Sequence, residues 1–111
     1  MADDCTGLVR LTINGYVDDP NRYMIEWHAV PLASGVKLGS WECIVRSNDG
    51  TIDWYMNGTV SGGATAEIEN EFTSPLFRRD MVLDVSLGIS ILGTGTSCHL
   101  EKQIVVGQET E

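Results

Sequence analysis

Apolar residues recur at every second position in stretch after stretch of this chain, a period that admits β-strands and argues against amphipathic helices. Val9, Leu11 and Ile13 alternate with Arg10, Thr12 and Asn14, so one face of an extended segment is apolar and the other polar. That first strand is expected to end at Asn14-Gly15. Tyr23, Ile25, Trp27 and Ala29 repeat the pattern against Met24, Glu26 and His28, and Pro31, which lacks an amide donor, closes the segment and suggests a place near a sheet edge. Trp41, Cys43 and Val45 define a third strand, and Ile52, Trp54 and Met56 a fourth. Between them lies Ser47-Asn48-Asp49-Gly50, where Asp-Gly supplies the positive φ angles that a tight hairpin needs.

The later segments follow the same rule. Asn57-Gly58 reads as a second turn or a bulge, with Thr59-Val60-Ser61 beyond it and Gly62-Gly63 freeing the chain to reverse. Ala64, Ala66, Ile68, Asn70 and Phe72 then oppose Thr65, Glu67, Glu69 and Glu71. Alanine and glutamate are good helix formers, but the apolar spacing is two, so this is a fifth strand with an acidic outer face. Ser74-Pro75 opens a loop carrying Arg78-Arg79-Asp80. Met81 to Ile91 is a long strand in which Gly88 is a candidate bend, Gly93-Thr94-Gly95-Thr96 a turn, and Cys98 to Val106 a last strand with a parity change near Lys102 that suggests a bulge. The sum is a single all-β domain over residues 1–111, an antiparallel sandwich or small barrel of about seven strands with no major helix. The tryptophans share the parity of their aliphatic neighbours and are expected in the core, whereas Tyr55 has the opposite parity and is expected at the surface.

Charge narrows the function. Seven Lys+Arg against 16 Asp+Glu give a formal net charge of −9, the wrong sign for neutralising phosphates, so direct nucleic-acid binding is not expected. No apolar run has the length of a membrane helix, and the acidic opening Met1-Ala2-Asp3-Asp4 is unlike a secretory leader. A cytoplasmic product, free or incorporated into a virion, is the expectation, and it sets aside the glycosylation acceptor spelled by Asn57-Gly58-Thr59. Cys5, Cys43 and Cys98 form no disulfide framework or paired zinc motif, so reduced thiols are expected.

Catalytic chemistry finds little to work with. His28 and His99 are the only imidazoles and lie in no metal-binding repeat. A relay of Ser86 or Ser90 with His99 and Asp84 is conceivable, but Cys98 and His99 are neighbours on a strand and must face opposite ways. Asp18-Asp19 and Asn48-Asp49 offer oxygen ligands for calcium, yet turn formation explains them without a metal. No enzyme activity, cofactor, metal or small-molecule ligand is therefore expected.

The sharpest feature is the row Glu67, Glu69 and Glu71, because carboxylates on one face of one strand repel unless they are solvated or faced by base. Arg78 and Arg79 are the candidate base, supplied by a neighbouring subunit. In order and spacing, Asp49-Gly50-Thr51-Ile52-Asp53, Gly58-Thr59-Val60-Ser61, Thr65-Ala66-Glu67 and the strand Met81 to Gly88 resemble the C-terminal half of tail-tube subunits of long-tailed bacteriophages. The resemblance spans about a third of the chain. It implies a self-associating virion protein in stacked hexameric rings, with an acidic bore past which phosphates slide; a head-decoration protein, bound to copies of itself or to other virion proteins, is an equally natural home for a small β-sandwich. The family carries a helix beside its sandwich, and no segment here supplies one. Two other readings stand beside it. One is an acidic inhibitor or immunity-type protein that docks its glutamates on a basic partner, and the other is a carbohydrate-binding sandwich using Tyr55 and other aromatic rings.

Overall fold

A computed structural model describes residues 2–5, 7–19, 22–74, 78–93 and 95–107. Among these are eight strands: β1 (Ala2–Cys5), β2 (Val9–Asp19), β3 (Arg22–Pro31), β4 (Leu38–Ser47), β5 (Asp53–Ala64), β6 (Ile68–Ser74), β7 (Val82–Ile91) and β8 (Thr96–Val105). All pairings are antiparallel, in two sheets ordered β1-β2-β3-β6 and β5-β4-β7-β8. No helix occurs among the described residues. The seven longer strands are those that the alternation marks; β1 has four residues, too few for a period to register. The Asp18–Asn21 turn, the loop after Ser74, the Gly93–Thr96 turn and the tail from Gln108 fall wholly or partly outside the described residues.

Alternation becomes burial directly. The inner faces contribute Val9, Leu11 and Ile13 from β2, Tyr23, Ile25, Trp27 and Ala29 from β3, Cys43 and Val45 from β4, and Leu83, Val85, Leu87, Ile89 and Ile91 from β7, all buried. Aromatic pairs join the layers: Trp27 of β3 meets Trp41 of β4 with ring centroids 4.8 Å apart, and Trp54 of β5 meets Phe72 of β6 at 4.3 Å. Trp27 is fully buried, while Trp41 and Trp54 are half-buried against the core.

Several local expectations are corrected. Asn14-Gly15 does not end a strand; β2 runs through it to Asp19. Glycine is needed there for packing, since a Cβ would lie 2.8 Å from the Tyr23 hydroxyl. Likewise β5 passes straight through Asn57-Gly58, where a Cβ would lie 2.7 Å from the Trp41 indole. The irregularity falls nearer Gly62 and Gly63, both at positive φ, and the β4/β5 register shifts between Leu38 and Ser40. The acidic strand begins at Ile68, so Thr65-Ala66-Glu67 is a connector. Despite Pro31, β3 is an interior strand, and the proline stands at its last paired residue.

β8 carries no bulge at Lys102, for its pairing with β7 is continuous from Thr96 to Val105. Lys102 instead turns inward, and its Nζ donates to the Ile13 carbonyl at 2.8 Å. An inward charge on an edge strand discourages pairing with a further strand. The Asp49-Gly50 hairpin forms as the sequence indicates: Gly50 has φ 78°, and Ser47 N–H donates to the Ile52 carbonyl at 2.8 Å.

The cysteines divide. Cys43 is free and fully buried. Cys98, buried on β8, is disulfide-bonded, which overturns the expectation of a reduced thiol there. Burial pushes the Cys43 thiol up from 9.0 to about 11. Below the lower value both folded and unfolded chains keep the proton, so stability is unaffected. As pH rises toward the upper value the unfolded chain ionises first, and stability is expected to fall by up to about 2–3 kcal/mol. Urea unfolding at pH 8 and at pH 10.5 checks this: the loss should shrink in Cys43→Ala, and an equal loss in both proteins would contradict the assignment.

Candidate functional site

Strand β6 lies at the edge of the first sheet, and its outward residues build an acidic surface. Antiparallel register sets Glu69 opposite His28 and Glu71 opposite Glu26. Glu67 reaches the same imidazole from the connector: its Oε2 lies 2.6 Å from His28 Nδ1, and the Oε2 of Glu69 lies 3.2 Å from that nitrogen. The three glutamates thus share a face as their spacing indicates, and the basic group facing two of them comes from the adjacent strand. Their side chains are open to water, at 44% exposure for Glu67 and 67% for Glu69, so each contact with His28 is worth at most about 1 kcal/mol. The Glu26–Glu71 pair places like charges directly opposite and is mildly unfavourable unless screened.

The His28, Glu67 and Glu69 ligand atoms lie within 4.8 Å of one another, a spacing that a divalent cation could span. The imidazole Nδ1 faces both carboxylates directly. The signal for His28 was present in the sequence as a polar residue on the outward parity of its strand, but its partner was not, because register is a long-range property.

Arg78 and Arg79 do not meet this row within the chain. Arg78 pairs with the carboxylate of Asp49 in the β4/β5 turn. That carboxylate also accepts from Ser47 Oγ at 2.7 Å and Thr51 N–H at 2.9 Å, so Arg78 fastens the segment before β7 to the hairpin. Arg79 is exposed and lies beside Gly107, and among the described residues it has no ion-pair partner.

A second surface lies on the outer face of the other sheet. There the register aligns Thr59 with Ser40, and Ser90 with Ser97; the next row holds Asn57, Glu42, Gly88 and His99; the third holds Tyr55, Ile44, Ser86 and Glu101. Tyr55 is 55% exposed, as its parity indicates, and its hydroxyl donates to Glu42 Oε2 at 3.2 Å while accepting from Asn57 Nδ2 at 3.0 Å. The Ser40 and Ser90 hydroxyls are 2.8 Å apart. Around Gly88 the first two rows, with Tyr55 from the third, line an open groove of about 400 Å³, which no spacing in the sequence announces.

His99 has Ser86 Oγ 3.1 Å and Glu101 Oε2 3.9 Å from its Nε2. Both partners address the same nitrogen, so this is no relay, in which the acid must hold the nitrogen opposite the nucleophile. Asp84, the acid weighed for that role, instead accepts from Gln103 Nε2 at 3.2 Å. Cys98 points inward and His99 outward, as neighbours on a strand must. The side chains of Asp18 and Asp19 lie outside those described, whereas Asp49 is bound within its own turn.

Among the described residues no helix is long and apolar enough to cross a membrane. Comparison with protein-family models, with curated proteins and with solved structures found no match to this chain.

Proposed function

We propose that this chain is a non-enzymatic assembly subunit that associates with copies of itself, in the manner of a phage virion component. The observation that carries this reading is the acidic face at the sheet edge, where Glu67 and Glu69 flank the His28 imidazole and Glu71 stands opposite Glu26 in the neighbouring pair. Arg79 stands exposed on a different element, so a contact between arginine and glutamates joins two unlike surfaces of two subunits. Such head-to-tail contacts close into rings or run on as filaments, whereas two-fold dimers use one surface twice. A net charge of −9 suits a surface past which nucleic acid must slide. The Cys98 disulfide is also at home in a particle exposed to an oxidising exterior, more so than in the cytoplasm.

Charge exchange tests the contact. Arg79→Glu alone, and Glu69→Lys with Glu71→Lys, should each reduce the assembled fraction in sedimentation velocity, and all three substitutions together should restore part of it, because reversed charges still pair. Each variant should keep the parent's cooperative unfolding, since all three positions are exposed. Assembly that is indifferent to every substitution sinks the contact. A strictly monomeric parent that binds basic proteins through the same glutamates favours an acidic inhibitor instead.

A further inference from the structure

We infer that the groove floored by Gly88, on the outer face of the β5-β4-β7-β8 sheet, binds a neutral polyhydroxylated ligand, a short oligosaccharide. The groove contains a glycine that neither backbone conformation nor packing requires. Gly88 sits inside β7, a central strand, with Glu42 of β4 and His99 of β8 directly across from it. Glycine weakens a strand interior, because it has more backbone freedom to lose and no side chain to pack. Gly15 and Gly58 are explained by the side chains pressed against them. Gly88 is not: its φ is not positive, and a Cβ there would meet Glu42 Cγ at 3.6 Å and His99 Nδ1 at 3.7 Å, both ordinary contacts. What the missing side chain provides is bare backbone at the bottom of a groove, where strand glycines commonly admit a ligand.

The walls state the ligand's chemistry. Ser97 and Thr59 present hydroxyls, which both donate and accept; the Ser40 and Ser90 hydroxyls are bonded to one another, and the Asn57 amide, which donates to Tyr55, completes a polar wall. Glu42 is the one formal charge in the lining with histidine neutral, and it belongs to a chain of net charge −9, so an anionic ligand is disfavoured. A carboxylate, an amide and hydroxyls suit the adjacent hydroxyls of a sugar. The exposed ring of Tyr55 offers the flat apolar surface on which the C–H face of a pyranose rests. About 400 Å³ is the size of a small-ligand site, enough for one or two sugar units. The groove is on the opposite sheet from the β6 glutamates, so it stands or falls independently of the assembly reading.

The test is an array of neutral hexose and N-acetylhexosamine oligosaccharides together with their sialylated and sulfated counterparts, followed by calorimetric titration of the strongest binder. The parent should bind at least one neutral glycan. Gly88→Val should unfold at the parent's temperature or above it while losing at least about tenfold in affinity, because its side chain fills the floor. Tyr55→Ala should lose roughly three- to tenfold. If Gly88→Val fails to fold, Gly88→Ala takes its place, with a loss of at least about threefold expected. The inference is overturned if no neutral glycan binds at millimolar concentration, if only acidic glycans bind, or if the folded Gly88 variant binds as the parent does.

Discussion

Trp27→Ala is expected to destabilise the protein by about 3–5 kcal/mol, the range for removing a large aromatic side chain from a core. Trp27 is 1% exposed on β3, an interior strand of its sheet, and its ring meets that of Trp41 across the interface between the sheets. Alanine would remove that contact and leave a void between two β-sheets that are too rigid to collapse fully into it. Trp27 also has an internal cost, because its Nε1 is buried without a hydrogen-bond partner among the described residues, and such a group costs about 1–3 kcal/mol. Trp27→Phe gives up ring area but sheds that cost, so its loss should stay below about 2 kcal/mol. Urea unfolding of the three proteins checks the order. A Trp27→Ala variant as stable as the parent would mean that the inter-sheet aromatic contact is not where the core is held.

The next largest effect is expected on β7. Leu83→Ala should cost about 2–4 kcal/mol and Val85→Ala about 1–3 kcal/mol, because both side chains are buried on the inner face of a strand paired on both sides. Ser86→Ala should stay within about 0.5 kcal/mol, since Ser86 faces outward and touches His99 in solvent. Thermal and chemical unfolding of the three variants would show the reverse ranking if the register of β7 were inverted. A slip of one residue exchanges every inward and outward side chain, so the pair of substitutions reads register directly.

The strands were legible because their signal is local. Val9, Leu11 and Ile13, or Leu83, Val85 and Leu87, alternate with polar residues whatever they pair with, and each set is buried as the alternation indicates. What the sequence misplaced shares a physical cause. Gly15 and Gly58 look like turn residues, yet they are strand residues that make room for Tyr23 and Trp41, which are eight and seventeen positions away. Lys102 looks like a break in parity, but a long aliphatic stem lets its ammonium reach the Ile13 carbonyl while the strand runs on. In each case a partner distant in sequence decides the role.

Candidate sites divide along the same line. That Glu67, Glu69 and Glu71 share a face follows from spacing, and so does the exposure of Tyr55. That His28 faces two of the glutamates, that Asp49 holds Arg78, and that Gly88 floors a groove all depend on which strands are neighbours. Cross-sheet adjacency leaves no trace at fixed spacing. The Cys98 disulfide escaped notice for a related reason: an odd number of cysteines at unrelated spacings carries no pairing signal.

Self-association is the central claim, and the mass of the purified chain in solution tests it most directly. Light scattering coupled to size exclusion, run over a wide range of concentration at about 0.15 M salt and again at about 1 M, measures both the size and its electrostatic origin. A ring or polymer of the 12.1 kDa chain is expected, and higher salt should weaken it by screening the contact between arginine and glutamates. A mass of one chain at every concentration would contradict the account.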